Sequence, residues 1–331
     1  MKIDKNINLS KYTTFKIGGV AEFFSEAQTK QNLLDAIEYA NKNSIPLNII
    51  GGGSNILISD KGIEGLSVIN KYKEINIEGK LEEDINIENN KSFYNEGEYF
   101  KFSDLIDTNE RDTQKYLVRV SSGVNLTYLI NETLHQNLTG IQYFSGIPGT
   151  LGGAIFNNIH GGEKLIGDLV YSATLIDKKG EIINVNNNFF EFGYDDSILH
   201  KNEYILIDAQ LILFEGNVEK AKETAHEWIK RKRNIQPSLP SAGSIFKNIT
   251  NEEKDVIQAP VNSAGWLIEN AGLKGKTIGG AQVYQKHANY IVNIGFAKAS
   301  DVTNLIEVIQ EEVFKKFKIE LIPEIILKGD F

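Results

Sequence analysis

GGGSN at residues 51–55 and IPGTLGGAIFNN at residues 147–158 are the two stretches that decide the fold of this chain. In the first, the strand-like run LNII (47–50) leads into three glycines, and a second strand-like run, ILIS (56–59), follows directly. A dinucleotide site of the Rossmann type needs glycines that open a long helix. The pattern here instead predicts a loop whose successive backbone N–H groups bind anionic oxygens. The alternative is a glycine-rich hairpin without a ligand, although such a turn usually needs only one or two glycines.

The second stretch, at residues 147–158, is also a glycine-rich loop that can bind a ligand through its backbone. Pro148 fixes the turn, and Gly149, Gly152 and Gly153 leave one face of the loop without side chains. A flat or anionic group can approach the backbone closely at such a face. Two loops of this kind, about a hundred residues apart, predict the binding of a diphosphate-bearing ligand.

The composition favours a soluble, cytoplasmic enzyme of two or three domains. The chain has 331 residues, of which 41% are hydrophobic, and a net charge of -9, which argues against a nucleic-acid partner. No run of about 18 apolar residues predicts a membrane span, and the start, MKIDKNINLS, resembles no signal segment. The lack of cysteine excludes disulfides and thiolate metal sites, and five histidines without HxxxH spacing predict no metal site.

Hydrophobic periodicity predicts an alternation of helices and strands. The predicted helices cover residues 29–43, 127–136 and 217–234. The predicted strands cover residues 47–50, 56–59, 116–126 and 205–214, a hairpin at 170–185, and two short strands meeting at a bend within YTTFKIGGVAEFF (12–24). The acidic segment at about 75–115 is predicted to be an insertion. Its INIEGK and INIENN runs predict strand pieces, and Glu82, Glu83 and Asp84 predict a solvated turn without a catalytic role.

Two polar residues near the C-terminal end are candidates for proton transfer. Ser244 lies in SAGSIFKN (241–248), and Glu324 lies in IPEIIL (322–327). By sequence context alone, Ser244 is more typical of a turn serine and Glu324 of an edge-strand carboxylate. A basic cluster, residues 230–233, precedes the serine, and it is consistent either with a solvated helix end or with phosphate binding.

Seven segments in the same order resemble one known family. They are YTTFKIGG, IIGGGSN, SGIPGTLGGA, QPSLPSAGSIFKN, AGWLIENAGLKG, GGAQVYQKHANYIVN and IELIPEIILKG. The chain resembles the UDP-N-acetylenolpyruvoylglucosamine reductases, also called UDP-N-acetylmuramate dehydrogenases, of peptidoglycan precursor synthesis. The resemblance covers nearly the whole chain except the insertion, and it is to the shorter, second type of the family.

The resemblance implies an α+β fold. A two-part FAD-binding unit of the vanillyl-alcohol-oxidase (PCMH) type would comprise residues 1–70 and 71–215, and an α/β substrate-binding domain would comprise residues 216–331. The implied cofactors are FAD and NADPH, and the implied substrate is UDP-N-acetylglucosamine enolpyruvate. NADPH reduces the flavin, hydride then passes to the enolpyruvyl β-carbon, and an acid protonates the α-carbon. A monomer that binds neither nucleic acid nor membrane is expected.

The resemblance also assigns residues to roles. Ser244 is the implied proton donor, and Glu324 is the carboxyl group that polarises the intermediate or assists the proton. Gln236, Lys247 and Asn248 are expected to bind the substrate, chiefly its UDP portion, together with the region at 231–236. The implied cofactor-binding residues are Gly51, Gly52, Gly53, Ser54, Asn55, Gly146, Ile147, Pro148, Gly149, Thr150, Gly153, Ala154 and Asn158.

The chain departs from the family pattern at one important position. The family has arginine in the string FGYRxS, where it anchors the substrate carboxylate, whereas this chain has FGYDDS (192–197) with Asp195 in that place. A carboxylate cannot bind another carboxylate without a proton or a cation. A lysine, or one of the four arginines brought near by folding, is the expected replacement. Two alternatives therefore stay open: a catalytically impaired paralogue that binds FAD or a sugar nucleotide, and another flavin oxidase of the same fold.

Overall fold

A computed structural model describes residues 1–82, 107, 109–162 and 164–331 of the chain. The predicted strand INIENN and most of the predicted acidic turn at residues 82–84 lie outside these described residues. Within the described ranges, no helix is both long enough and apolar enough to cross a membrane.

Four strands near the start of the chain form the first sheet, in the order β1-β2-β5-β3. They are β1 (Asp4–Asn8), β2 (Val20–Ala27), β3 (Leu47–Ile50) and β5 (Ile63–Asn70), with the separate short strand β4 (Ile56–Ile58) between the last two. β5 pairs in parallel with β2 and β3. The predicted first helix is confirmed as α1 (Lys30–Asn43), which begins after Thr29 because that side chain accepts a hydrogen bond from the Asn32 N–H.

The second sheet is antiparallel throughout, in the order β11-β10-β12-β7-β6. Its strands are β6 (Ile75–Lys80), β7 (Lys115–Ser121), β10 (Val170–Asp177), β11 (Ile182–Asn186) and β12 (Tyr204–Phe214). Between β7 and β10 lie helices α2 (Leu126–His135) and α3 (Leu151–Phe156) and the short strands β8 (His160–Gly161) and β9 (Lys164–Leu165). The helices and the inner face of the sheet share one hydrophobic core. The predicted hairpin and the long apolar strand are thereby confirmed.

The third sheet is also antiparallel and has the order β13-β16-β15-β14. Its strands are β13 (Ser241–Ser244), β14 (Thr277–Ile278), β15 (Ala281–Val283) and β16 (Tyr290–Asn293). Three helices accompany it, namely α5 (Asn251–Val256), α6 (Ala264–Asn270) and α7 (Ala299–Phe317). The core of this region also contains Phe15, Ile17 and Leu57 from the first part of the chain.

Two elements join the third region to the rest. Helix α4 (Val218–Ile235) packs against α2 and the turn at 142–144, and its Ala221 belongs to the core of the second sheet. The last strand, β17 (Ile326–Lys328), pairs in parallel with β4, directly after the first glycine loop. The segment that carries Glu324 is therefore attached to the loop at 51–55.

The prediction of two strands within residues 12–24 is wrong in its first half. β2 begins only at Val20, and the preceding residues form turns that include Lys16 and Gly18 with positive φ angles of 57° and 149°. Phe15 and Ile17 are buried against the third region, which is why their alternation imitates a strand.

Candidate active site

A cavity of about 690 Å³ is lined by residues from all three regions of the chain. Small-molecule sites usually have volumes of about 300–1,000 Å³. The predicted cofactor residues that line it are Gly51, Gly52, Gly53, Ser54, Asn55, Ile147, Pro148, Gly149, Thr150, Gly153 and Ala154. Ser244, Glu324 and Gln236 line it as well, whereas Gly146, Asn158, Lys247 and Asn248 are not among its lining residues.

The two glycine loops touch each other at the cavity wall. The Ser54 hydroxyl donates a hydrogen bond to the Pro148 carbonyl oxygen (3.1 Å), and Gly53 has a positive φ of 62°. A Cβ atom on Gly51 would lie 2.5 Å from Thr150 Oγ1. Gly51 and Gly52 are therefore required in part by the contact between the loops, and Gly53 by its positive φ and by Tyr12, with whose carbonyl oxygen a Cβ atom there would clash.

Gly153 is the position where the wall is open. A Cβ atom there would meet only Thr150 Oγ1, at 3.8 Å, and the residue is exposed in the cavity. The Thr150 side chain caps α3 by accepting a hydrogen bond from the Gly153 N–H (3.4 Å). Because none of the described residues occupies the space beside Gly153, the missing side chain leaves room for a ligand against the backbone. This open face, together with the volume of the cavity, fits FAD.

Ser244 is positioned by the third sheet. It pairs with Tyr290 across β13 and β16, and the Tyr290 hydroxyl is hydrogen-bonded to the side chains of both Ser244 and Gln236. Burial raises the pKa of Tyr290, so its hydroxyl stays protonated near neutral pH. Tyr290 lies in the segment GGAQVYQKHANYIVN, in which no sequence pattern distinguishes it from the neighbouring residues.

Glu324 lies beside the same serine. Its backbone N–H donates to the Ile245 carbonyl oxygen (2.8 Å), and the Asn55 side chain donates to the Glu324 carbonyl oxygen (3.3 Å). Burial and the charge of Asp195 together raise the pKa of the Glu324 carboxyl to about 8, while the charge of Lys247 opposes the shift. At pH 7 this carboxyl is therefore protonated and can donate a proton.

Asp195 lies in a tight turn that packs against the segment after Ser244. Its φ of 47° is left-handed, a conformation that aspartate adopts more readily than most residues, and its exposed fraction is only 7%. The Lys247 ammonium donates to the carbonyl oxygens of Tyr194 (3.4 Å) and Asp195 (3.2 Å). The Tyr194 hydroxyl in turn contacts Asn248. The departure from the family pattern thus lies within the predicted active site, beside Glu324.

The predicted residues that do not line the cavity have structural contacts. Asn158 is fully buried, where its side chain accepts from the Gly167 N–H (3.0 Å) and donates to the Gly193 carbonyl oxygen (2.8 Å). The Asn248 side chain is exposed and accepts from the Ala264 N–H (3.2 Å). We therefore expect Asn158 to position the cavity wall and the turn at 192–197, and not to touch a cofactor directly.

Comparisons with known proteins decide the family. A family model described as the C-terminal domain of UDP-N-acetylenolpyruvoylglucosamine reductase matches residues 236–327, and a model described as an FAD binding domain matches residues 89–186. The chain is 35% identical to the UDP-N-acetylenolpyruvoylglucosamine reductase of Caldanaerobacter subterraneus subsp. tengcongensis, over 99% of this chain and 94% of that protein. The protein of the same name from Lachnoclostridium phytofermentans is 36% identical, with the same coverage. This chain belongs to the UDP-N-acetylenolpyruvoylglucosamine reductase family.

A solved structure agrees with this membership. The crystal structure of UDP-N-acetylenolpyruvylglucosamine reductase from Thermus caldophilus matches with a TM-score of 0.73 at 26% identity, over 99% of this chain and 100% of that one. The expected fold, an FAD-binding unit plus the family's C-terminal domain, is confirmed. The expected class, an FAD-containing oxidoreductase of peptidoglycan precursor synthesis that uses NADPH and a small-molecule substrate, is confirmed as well. The comparisons thus favour the reductase over another flavin oxidase.

Proposed function

We propose that the cavity described above is where this reductase converts UDP-N-acetylglucosamine enolpyruvate to UDP-N-acetylmuramate. The observation that carries the proposal is the convergence of Ser244 and Glu324 on a cavity that the two glycine loops also line. FAD would be held by the loops at 51–55 and 147–154, and it supplies hydride when bound. Side chains of the chain itself carry out the proton transfer and stabilise the developing charge.

Ser244 gives the proton to the substrate α-carbon in this proposal. An ordinary hydroxyl is a weak acid, so neighbouring groups must assist it. Tyr290 supports this role, because its hydroxyl is hydrogen-bonded to the serine. Glu324 supports it too, because its raised pKa of about 8 keeps the carboxyl neutral at pH 7, and a neutral acid can stabilise the negative charge that hydride addition creates.

The substrate and domain assignments are part of the same proposal. Gln236, Asn248 and the region at 231–236 bind the UDP portion, with Lys247 holding the turn at 192–197 beside them. The domains comprise residues 1–70, 71–215 and 216–331, although α4 packs on the second region. The enzyme is a cytoplasmic monomer that binds neither nucleic acid nor membrane.

The test is an assay of NADPH oxidation by the purified, FAD-loaded chain, with and without the enolpyruvyl sugar nucleotide. Oxidation that depends on the substrate, with UDP-N-acetylmuramate as the product, is the expected result. The buried Asp195 favours a second candidate, an impaired paralogue that binds the sugar nucleotide without turnover. Binding of substrate with no NADPH oxidation above the substrate-free rate would establish that candidate instead.

A further inference from the structure

Lys232 supplies a buried cation at the cavity. It lies in the last turns of α4 and lines the cavity. Its Nζ atom is buried and has no hydrogen-bond partner among the residues that the structure describes. The Trp228 ring lies 5.5 Å from Nζ, a contact that offsets only part of the cost of removing an ammonium group from water. An anion in the cavity would supply the missing acceptor.

The surroundings of Lys232 make room for its side chain but disfavour its charged form, so a bound anion would be needed to hold it as an ammonium group. A Cβ atom on Gly146 would lie 3.1 Å from Lys232 Cδ, so glycine at that position leaves room for the lysine stem. Burial lowers the pKa of Lys232 to about 7, as expected for an ammonium group that has no carboxylate beside it among the described residues. Burial, together with the charge of Lys232, lowers the pKa of His160 to about 4, so His160 is neutral at pH 7 and is no rival cation.

The other cations are less suited to replace the family arginine. None of the four arginines lines the cavity; Arg119 binds Glu78 and Asp208, and Arg231 binds Glu227. Lys178 and Lys328 do line it. Lys178 follows β10, where its carbonyl oxygen accepts from Asn41 of α1, and Lys328 belongs to β17, which pairs with β4. The described hydrogen bonds of these two lysines lead to α1 and to Ser59 after β4, and not to Gln236, Tyr290 or Ser244.

Lys232, by contrast, is linked to the proposed proton donor. The Gln236 N–H donates to the Lys232 carbonyl oxygen (2.8 Å), so Gln236 follows one helical turn later. The Gln236 side chain reaches the Tyr290 hydroxyl, which also contacts Ser244. In the proposed reaction, the carbon that Ser244 protonates carries the carboxylate itself. The substrate diphosphate lies on the far side of the sugar ring from that carbon.

We propose that Lys232, unlike the rest of the region at 231–236, binds the carboxylate of the enolpyruvyl substrate and not its UDP portion, and so does the work of the arginine that Asp195 replaces. In this chain the cation that binds the carboxylate would come from helix α4, and not from the turn at 192–197, where the family has its arginine. The inference rests on the proposed function, because it takes the carboxylate to lie beside the carbon that Ser244 protonates.

A pair of ligands separates the carboxylate from the diphosphate. UDP-N-acetylmuramate carries a carboxylate on its lactyl group, whereas UDP-N-acetylglucosamine shares the nucleotide and the sugar but lacks that carboxylate. We compare their dissociation constants on the FAD-loaded enzyme and on Lys232→Met, by calorimetry. Lys232→Met should weaken the carboxylate-bearing ligand about 10- to 100-fold, the range for a hydrogen bond to a charged group, and leave the other within about twofold.

Lys230→Met is the matched control, because Lys230 lies on the same helix with an exposed side chain (66%). It should change neither dissociation constant. Lys232→Arg should keep the preference for the carboxylate ligand. Removal of an unpaired buried charge should not lower the melting temperature, and Lys232→Gln is a second neutral variant if the methionine variant fails to fold.

Each other outcome overturns the inference. Equal weakening of both ligands would assign Lys232 to the diphosphate, and loss of FAD from Lys232→Met would assign it to the cofactor. No change in either constant, or a carboxylate-specific loss in Lys328→Met instead, would also remove Lys232 from this role. If the unaltered enzyme binds neither ligand, the proposed function itself fails, which is a distinguishable result.

Discussion

A Cβ atom on Gly52 would lie 2.7 Å from the Gly149 Cα atom, so the two glycine loops meet backbone against backbone. Any side chain at residue 52 would push the loops apart, because backbone atoms cannot yield as a flexible side chain can. A bulky substitution at Gly52 would therefore release a cofactor for a structural reason. Gly153 offers the sharper test, because its side-chain position faces open space.

Gly153→Leu should weaken FAD binding without unfolding the protein. The leucine would occupy space where the cofactor is proposed to lie, and a clash of this kind typically costs about 1–3 kcal/mol, or roughly 5- to 150-fold in affinity. FAD titration of the apoprotein measures the dissociation constant, and the melting temperature of the apoprotein should stay unchanged. Gly153→Ala is the graded control and should have a smaller effect. Unchanged FAD affinity in the leucine variant would remove this loop from the cofactor site.

Ser244→Ala should spare the reduction of the flavin by NADPH and slow its reoxidation by the enolpyruvyl substrate. Only the second half-reaction needs a proton on carbon, and general acid catalysis typically contributes about 10²–10⁴-fold. Stopped-flow absorbance measures the two half-reactions separately. Ser241→Ala, at a serine of the same strand that is not among the cavity-lining residues, should leave both rates unchanged. Equal slowing of both half-reactions by Ser244→Ala would contradict the assignment.

At saturating substrate, whose carboxylate keeps Lys232 charged in the proposed complex, the rate of the second half-reaction should fall as the pH rises through about 8. Burial and the charge of Asp195 raise the pKa of the Glu324 carboxyl, so its neutral form is present below that pH and is lost above it. Asp195→Asn removes the negative charge that helps to raise the Glu324 pKa, so the decline in rate should move to lower pH. Lys247→Met removes the opposing charge and should move it to higher pH. A decline that is unmoved by either variant, or that persists in Glu324→Gln, would show that another group titrates.

The sequence predicted the elements whose signals are local. The N-cap Thr29, the glycine-bearing hairpin after β10 and the apolar strand β12 all follow from residues close to one another in the chain. Local patterns do not predict the structure of segments whose burial depends on distant partners. Phe15 and Ile17 alternate like strand residues, but they are buried because the third region packs over them.

The sequence predicts which segments contribute to the site, but it does not predict which of their side chains contact one another. Motif order identified Ser244 and Glu324, but it grouped the basic residues at 230–233 together. Folding distinguishes them: Lys230 is exposed and Arg231 pairs with Glu227, while the Lys232 ammonium is buried at the cavity. Tyr290 likewise belongs to the site because β16 pairs with β13, which brings its hydroxyl into hydrogen-bonding contact with Ser244.

In the otherwise unaltered enzyme, Asp195→Arg should leave turnover unchanged or lower it. In the Lys232→Met variant, the same substitution should raise turnover. If Lys232 binds the substrate carboxylate, a second cation has no acceptor to bind and adds the cost of burying a charge. Without Lys232, an arginine at residue 195 would supply the missing cation in the place where the family has it. Steady-state kinetics of the two single variants and the double variant measure this, with kcat/KM for the enolpyruvyl substrate as the readout.

Asp195→Asn is the control that separates loss of the negative charge from gain of a positive one. The Lys247 ammonium binds backbone carbonyl oxygens of the turn, so those contacts do not depend on the side chain at residue 195. An arginine that raises kcat/KM equally with and without Lys232 would mean that Asp195 has simply lost the family function. An arginine that rescues only Lys232→Met would show that the two positions serve the same carboxylate, because coupling between two substitutions reports a shared partner.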